Sequence, residues 1–275
     1  MQLPVRNSRI RLSQGQMFWR EVGKGTPLVF LHGAGSDGSQ WLPVFERLGD
    51  HYQCFAPDLL GFGESEQLDI HQSIHLHVEC LEEYIAALKL EKFYLVSYSI
   101  GAWVATHYTL KYPEKVQGMV VIAPEGVDVK EQEGRWKTEK SLTSPRSLFC
   151  WWLQFLFPIA KLLGIHSNIE QLLNYRKQLL ACPATCQLLF QRRSQEIKEE
   201  LLYNQLAGLK TPALVLQGGQ DQAVRIAQSK VYAQLSPAAR LRVMKHGGAD
   251  LPQVWPDSIV QEIRRFAVIL AEIRG

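Results

Sequence analysis

The stretch Ser97-Tyr98-Ser99-Ile100-Gly101 decides the fold, because it joins an apolar strand to an apolar helix with a serine at the turn. The strand is predicted over residues 93–96 and the helix over residues 101–112. Small residues at both ends of the turn let the two backbones approach closely around Ser99. Such a turn exposes the serine hydroxyl and places the Ile100 N–H at a helix N-terminus, where a developing anion is stabilised.

Strands and helices alternate on both sides of this turn. A hairpin comes first, and the predicted strands then cover residues 28–31, 52–56, 93–96, 116–122, 213–217 and 241–245. The predicted helices between and after them cover residues 41–48, 73–88, 101–112, 223–235 and 258–273. Apolar strands separated by helices predict an α/β fold with a mostly parallel central sheet and helices on both faces.

Residues 126–209 interrupt this alternation, because they show helical patterns without a convincing strand. We call this stretch the cap segment. The predicted organisation is an α/β core formed by residues 1–125 and 210–275, with a helical cap inserted between the two parts. The sequence contains no internal repeat or Gly/Ser linker that would indicate independent domains.

Composition excludes several classes of protein. The chain has 275 residues, of which 46% are apolar, and its 30 basic and 27 acidic side chains nearly balance. This balance, without a basic run interleaved with aromatics, argues against nucleic-acid binding. Residues 1–12 lack the apolar core of a signal peptide, so we expect a cytoplasmic protein. The five cysteines show no zinc-type spacing, and His71, His75 and His77 are expected to be solvated rather than metal ligands.

Two further motifs, together with the turn at Ser99, resemble the α/β-hydrolase family. The segments His32-Gly33-Ala34-Gly35 and Asp58-Leu59-Leu60-Gly61-Phe62-Gly63-Glu64-Ser65 each follow a predicted strand. The resemblance spans nearly the whole chain, from His32 to the final helix. It implies an α/β-hydrolase fold, a nucleophile at Ser99, and an oxyanion hole formed by the N–H groups of Ala34 and Ile100. The family usually has glycine at the position of Ser97.

The acid of a catalytic triad is predicted at Asp221, which follows a strand that ends in two glycines. By resemblance to the family, its carboxylate would orient a histidine and stabilise the imidazolium that forms when the serine loses its proton. Alternatively, Asp221 caps the helix that begins near Ala223. Glu125, just after the strand over residues 116–122, is a second position where the fold can place an acid.

The base is where the sequence departs from the family. The position expected for the catalytic histidine holds Asp250, and His246 lies four residues earlier. If Gly247 and Gly248 let the loop fold differently, His246 reaches Ser99, because four residues of chain span roughly 13 Å. If the loop keeps the family geometry, Asp250 faces the serine. Two carboxylates in one pocket then repel each other, and the site lacks a good base.

The strongest substrate signal is the apolar run over residues 148–163 in the cap segment. Gln154, Pro158 and Lys161 interrupt it, so it is too short and too broken to span a membrane, which needs about 20 apolar residues. Three alternatives remain open: a lid over an apolar pocket, a helix at a membrane surface, and simple burial against the core.

The function predicted from these observations is a serine hydrolase of esterase, lipase or thioesterase type. It would act on a bulky hydrophobic substrate through an acyl-enzyme at Ser99, with Asp221 and His246 completing the triad and without a metal or cofactor. The alternative is a catalytically degenerate protein of the same fold that binds a hydrophobic ligand or partner, because Asp250 occupies the histidine position. Contact with a membrane surface would be made through the cap.

Overall fold

One sheet of eight strands organises the residues that the computed structural model describes, which are 3–67, 70–129, 136–144, 146–162 and 167–274. The strands are β1 (Arg6–Arg11), β2 (Gln16–Val22), β3 (Thr26–Leu31), β4 (Tyr52–Pro57), β5 (Phe93–Tyr98), β6 (Val116–Ile122), β7 (Ala213–Gly218) and β8 (Ala239–Met244). Their order in the sheet is β1-β2-β4-β3-β5-β6-β7-β8. Strand β2 is antiparallel to β1 and β4, and all other neighbours are parallel. The predicted α/β class and mostly parallel sheet are confirmed.

Helices cover both faces of the sheet. They are α1 (Leu42–Leu48), α2 (Ile74–Ala87), α3 (Ile100–Lys111), α4 (Lys137–Thr143), α5 (Leu148–Leu162), α6 (Ser167–Leu180), α7 (Pro183–Thr185), α8 (Ser194–Glu199), α9 (Ala223–Leu235), α10 (Leu251–Val254) and α11 (Pro256–Arg274). Successive side chains of the central strands point to opposite faces of the sheet. In β5, Leu95 packs in the cluster that contains α2, α3 and α9, whereas Val96 packs with α1 and α11. The central strands are therefore buried on both faces.

The cap segment contains α4 to α8 and has two differently supported halves. Helices α4 to α6 form a small apolar cluster of their own around Leu142, Cys150 and Leu153. The residues from α7 onward join the main core, for example through Leu188 and Ile197. The second half is therefore anchored to the sheet, while the first half depends on its own small core. Leu163, the last residue of the predicted apolar run, lies outside the described residues.

A buried ion pair ties the loops that follow β3 and β4. Asp58 is fully buried, and its Oδ1 lies 2.7 Å from Arg20 Nη1. The same carboxylate accepts hydrogen bonds from Gly38 N at 2.7 Å and from Glu64 N at 2.8 Å. This explains the motif that begins at Asp58, because its carboxylate binds the Arg20 side chain and the backbone N–H groups of Gly38 and Glu64 at the same time. Removing one partner from such a buried pair typically costs about 3–5 kcal/mol.

The expectation that His77 is solvated is wrong. Its side chain is fully buried on α2, because the helical period places it on the same face as Ile74, Val78 and Leu81. Burial lowers the pKa of His77 to about 3, and electrostatic interactions with His32 and Arg192 lower it further. Neither ring nitrogen has a hydrogen-bond partner among the described residues. The neutral ring is thus held in an apolar site at a cost in stability.

Substitution of His77 by leucine is expected to reduce the loss of stability in acid. The folded-state pKa of about 3 lies below the unfolded value of about 6.5, so the unfolded chain takes up the proton first and unfolding becomes easier as the pH falls below about 6.5. Between pH 7.5 and 5.5, His77→Leu should lose about 1.4 kcal/mol less free energy of unfolding than the wild type. Urea unfolding at the two pH values measures this difference. The exposed His246→Leu serves as the control and should follow the wild type; equal losses in all three proteins would contradict the assignment.

Candidate active site

The turn between β5 and α3 holds Ser99 in a left-handed conformation. Its backbone angles are φ 52° and ψ −115°, which a non-glycine residue adopts only when the surrounding structure enforces it. The Ser99 N–H donates to the carbonyl of Ile122, the last residue of β6, at 3.0 Å. The Ser99 side chain makes no capping hydrogen bond to α3. The residue is therefore not an ordinary helix N-cap, and its hydroxyl points away from the helix backbone.

Two glycines, Gly33 and Gly101, allow the chain to pack closely around this turn. A side chain at Gly101 would place its Cβ 2.5 Å from the carbonyl oxygen of His32, so α3 begins in direct contact with the end of β3. A Cβ at Gly33 would lie 2.6 Å from the ring of Tyr98 and 3.4 Å from Ser99 Cβ. Glycine at these positions lets the loop after β3 and the turn at Ser99 lie against each other.

The loop after β3 presents one backbone donor to the site. Gly33 N donates to the side-chain oxygen of Gln40 at 3.1 Å, and Gly35 N donates to Thr185 Oγ1 of the cap segment at 3.0 Å. Between them, Ala34 N donates no hydrogen bond within the described residues, and the same is true of Ile100 N. These two N–H groups are the ones that the sequence predicts as an oxyanion hole, and that role stays a prediction.

His32 shapes this loop rather than taking part in proton transfer. Its ring is fully buried, with Nε2 accepting from Leu59 N at 3.0 Å and Nδ1 lying 2.9 Å from the Gly33 carbonyl. These contacts require the proton on Nδ1 and leave Nε2 as the acceptor. Burial lowers the pKa of His32. The neutral ring thus bridges the two loops that border the site.

Arg225, from α9, occupies the space beside the Ser99 hydroxyl. Its Nη1 lies 3.4 Å from Ser99 Oγ and 3.2 Å from Glu125 Oε1. The carboxylate of Glu125 is almost fully buried, and its Oε2 accepts from Gln228 Nε2 at 3.1 Å. Glu125, predicted as a reserve acid, is therefore brought to the site, where it pairs with the guanidinium of Arg225.

The electrostatics of the site keep Arg225 charged. Burial lowers the pKa of Arg225, but its acidic neighbours Glu125, Tyr98, Asp221 and Asp250 together raise that pKa above its usual value. Burial raises the pKa of Tyr98 to about 12, helped by the same three carboxylates and opposed by Arg225. Tyr98 is therefore a neutral phenol and Arg225 a permanent cation at neutral pH. A guanidinium donates hydrogen bonds and cannot act as a base.

Asp221 lies in the turn between β7 and α9, where its carboxylate is engaged locally. Its Oδ2 accepts from Gln217 Nε2 at 3.1 Å, and its Oδ1 accepts from the next backbone N–H, Gln222 N, at 2.7 Å. Gln217 is fully buried and is itself held by Ser229 Oγ at 2.6 Å. The carboxylate is thus fixed close to the site, and no imidazole of the described residues hydrogen-bonds to it.

The loop after β8 is attached to the turn at Ser99 through its later residues. Tyr98 donates from its hydroxyl to the Ala249 carbonyl at 2.6 Å, and Gly247 O accepts from Gln220 N at 2.9 Å. Asp250 follows directly and acts electrostatically on both Tyr98 and Arg225. His246 is exposed and borders a surface depression beside Trp255. Within the described chain, His246 makes no hydrogen bond to Ser99 or Asp221, so these contacts favour the family geometry for the loop.

Arg225 and the residues that support it on α9 were not predicted from the sequence. Arg225, Gln228 and Ser229 are spaced i, i+3 and i+4, which places them on one face of the helix. Gln228 and Ser229 are fully buried there. The signal that could have revealed them is the occurrence of polar residues at the spacing of a buried helix face. Buried polar groups need hydrogen-bond partners inside the protein, so such residues indicate a polar site.

A cavity of about 320 Å³ lies where the cap segment meets the core. Its lining includes Trp103, which follows Ser99 by four residues on α3, and Gly126, the residue after Glu125. Indole and aliphatic side chains line it, with lysines and one aspartate: Trp103, Trp136, Ile197, Leu201, Lys137, Lys140, Lys198 and Asp128. An apolar lining with a few charged groups is typical of a small-molecule site.

Comparisons with known proteins agree with this architecture. A family described as "alpha/beta hydrolase fold" matches residues 26–148. The mouse protein named 1-acylglycerol-3-phosphate O-acyltransferase ABHD5 is 34% identical over an alignment of 137 residues, and the match covers 45% of this chain and 39% of that protein. The match thus spans about two fifths of the length of that relative.

Two solved structures resemble nearly the whole chain. A bacterial membrane phospholipase A superposes with a TM-score of 0.75 at 19% identity, over 97% of this chain and 87% of the other. The haloalkane dehalogenase DbeA from Bradyrhizobium elkani superposes with a TM-score of 0.75 at 20% identity, over 98% of this chain and 100% of the other. Proteins of such different chemistry show the fold alone. Together with the family match over residues 26–148 and the sheet order, they show that the chain has the α/β-hydrolase fold.

Proposed function

We propose that this chain is a catalytically degenerate α/β-hydrolase-fold protein that binds a hydrophobic, acyl-type ligand beside Ser99 without hydrolysing it. One observation carries the proposal: Arg225 Nη1 lies 3.4 Å from Ser99 Oγ and is held there by the buried Glu125. The serine hydroxyl therefore has a cationic hydrogen-bond donor beside it, whereas a nucleophilic serine needs a base.

The missing base accounts for most of the expected loss of activity. General-base catalysis contributes roughly 10²–10⁴-fold in rate, and an ordinary carboxylate is far weaker than imidazole as a base at neutral pH. Asp250 and His246 are both exposed; Asp250 acts electrostatically on Tyr98 and Arg225, and His246 makes no hydrogen bond to Ser99 within the described residues. No imidazole of the described residues hydrogen-bonds to Ser99. The N–H groups of Ala34 and Ile100, which have no acceptor in the described part of the chain, could still hold a ligand oxygen by hydrogen bonds.

The class of ligand follows from the cavity and from the relatives. The cavity beside Trp103 and Gly126 offers an apolar wall for a chain, and three lysines at its edge favour a ligand that also carries negative charge. The name of the mouse relative refers to an acylglycerol phosphate, which combines both properties. A lipid with one acyl chain and an anionic head fits this combination.

A serine hydrolase with Ser99, Asp221 and His246 as its triad is the second candidate. The specific observation in its favour is the left-handed backbone of Ser99, at φ 52°, because strain of this kind is concentrated at functional sites. For this function the loop from Lys245 to Ala249 must rearrange so that His246 reaches the serine. An ester, lipid ester or thioester with a bulky hydrophobic acyl group would then be the substrate.

Ligand binding without turnover is the first prediction of the proposal. A fluorescent acyl-chain ester of glycerol phosphate should bind the wild type and Ser99→Ala with Kd values within about threefold, because binding does not depend on acylation. Mass spectrometry should recover the ester intact from both. Trp136→Ala should weaken binding, since Trp136 lines the cavity, whereas Trp255→Ala, which alters a tryptophan outside the cavity lining, should not. Release of free fatty acid by the wild type and not by Ser99→Ala would contradict the proposal.

Restoring a base should create activity. Asp250→His is expected to raise fluorophosphonate labelling and ester hydrolysis by roughly 10²-fold or more over the wild type, since general-base help is worth about 10²–10⁴-fold. The gain should vanish in Asp250→His combined with Ser99→Ala. The opposite result supports the second candidate: labelling of the wild type that is lost in both Ser99→Ala and His246→Ala identifies a working triad.

An aromatic face on α5 supports contact with a membrane surface. Trp151, Trp152 and Phe155 are each about half exposed, at 56%, 51% and 55%, and Trp151 stacks on Phe155 with ring centroids 5.6 Å apart. The opposite side of the helix, with Cys150 and Leu153, packs in the cap cluster. None of the helices within the described residues has the length and apolar character that crossing a bilayer requires. We therefore propose that α5 lies at the interface of a lipid layer, where tryptophans are favoured.

Polar substitution of this face should weaken binding to lipid. The triple variant Trp151→Ser, Trp152→Ser, Phe155→Ser is expected to reduce partitioning into phosphatidylcholine vesicles by roughly tenfold or more, because far more than about 1.4 kcal/mol of apolar transfer free energy is lost. Co-sedimentation with vesicles measures the change. Tyr203→Ser, at a side chain 52% exposed elsewhere on the chain, is the matched control and should leave partitioning unchanged. Equal binding of all three proteins would exclude α5 as the contact.

A further inference from the structure

An open groove lies at the edge of the sheet, away from the site at Ser99. It is bordered by the beginnings of β7 and β8 and by α11, and its volume is about 570 Å³. On this face of the sheet α11 packs over β6, where Leu270 comes within 2.5 Å of the Cβ position of Gly118. Helix α9 packs on β7 and β8 from the opposite face. The groove is therefore the gap that α11 leaves beside the last two strands.

An apolar stripe on α11 forms one side of the groove. Phe266, Ile269, Leu270 and Ile273 have the spacing i, i+3, i+4 and i+7, which is the contact pattern of one helix packed along another. Ile269 is 39% exposed and Ile273 is 74% exposed. Phe266 and Leu270 pack against the core on this face of the sheet, whereas Ile269 and Ile273 leave exposed apolar surface beside them.

The rim of the groove is strongly basic. Arg240 and Arg242 alternate with Leu241 along β8, so both arginines project from the same face of the strand. Lys210 and Arg265 complete the rim. Its one acidic member, Glu262, lies 2.9 Å from Arg242 and neutralises it. In the described part of the chain, Lys210, Arg240 and Arg265 have no carboxylate partner within 4 Å.

We propose that this groove docks an acidic amphipathic helix of a partner protein. The apolar stripe would receive the apolar face of that helix, and the three uncompensated cations would pair with carboxylates on its flanks. The wide exposure of Ile273 argues against a small ligand, because small-molecule sites usually bury 70–90% of their ligand. A second copy of this chain is disfavoured, since a symmetric contact through the groove would bring two basic rims together.

A designed peptide tests the proposal on the intact chain. The probe is a fluorescein-labelled helix of about 18 residues, roughly 27 Å long, with leucines at i, i+3, i+4 and i+7 and glutamates at most other positions. Fluorescence anisotropy should give saturable binding that weakens as salt screens the charges. Hydrogen exchange should show protection of residues 238–242 and 262–273. A peptide with lysine in place of every glutamate should bind at least tenfold more weakly.

Charge reversal at the rim supplies the decisive comparison. Arg240→Glu combined with Arg265→Glu should weaken peptide binding at least tenfold, and Ile269→Asp should do the same through the apolar stripe. Lys230→Glu, an exposed lysine on α9 at the opposite face, is the matched control and should bind like the wild type. Unchanged thermal unfolding shows that each variant is folded, and Lys210→Glu replaces any that is not.

Three results would overturn the proposal. The first is peptide binding that charge reversal leaves unchanged or that protects residues outside the groove. The second is loss of binding to phosphatidylglycerol vesicles in the double variant while peptide binding persists, since the groove would then be a lipid contact. The third is a concentration-dependent dimer of the wild type that Ile269→Asp abolishes, which would make a second copy the occupant.

Discussion

The left-handed turn at Ser99 is the constraint around which the centre of the molecule is built. Its N–H is bound to the end of β6, and the first turn of α3 rests on the carbonyl oxygens at the end of β3 through Gly101. Three neighbouring parallel strands therefore end at one point, with α3 leaving between them. Strain of about 1–3 kcal/mol at such a residue persists only because the packing of the whole sheet supports it. The site is thus a consequence of the core and cannot relax independently of it.

Arg225 then determines what this strained residue can do. A buried cation must be paired, and Glu125 supplies the pair at 3.2 Å, fixed in turn by Gln228. With Asp221 and Asp250 also acting on Arg225, the site collects three carboxylates around one guanidinium. This balance disfavours an anionic group directly at Ser99 and agrees with a neutral ester or amide oxygen there. The negatively charged part of a ligand would instead lie toward the lysines of the cap cavity.

The sequence predicted the parts of the fold that depend on local patterns. The alternation of strands and helices, the turn at Ser99 and the position of Asp250 all follow from spacing along the chain. The burial of His77 also follows from spacing, since it shares a helix face with Ile74, Val78 and Leu81, although it was not predicted. The place of Arg225 did not follow, because it depends on where α9 packs: Arg225 contacts Ser99 from a helix 126 residues away in sequence. Whether His246 reaches Ser99 depends on the conformation of the loop after β8. Gly247 and Gly248 allow that loop several conformations, so the local sequence pattern does not determine it.

The hydrogen bond between Gly35 and Thr185 joins the loop after β3 to the cap segment across 150 positions of sequence. Movement of α7 away from the core would break this bond and leave the Gly35 N–H without its acceptor. A third backbone donor would then become available next to Ala34. Opening of the cap and the capacity of the loop to hold a negative charge are therefore thermodynamically linked: a ligand oxygen that binds Gly35 N–H favours the open cap, and a closed cap competes with that oxygen.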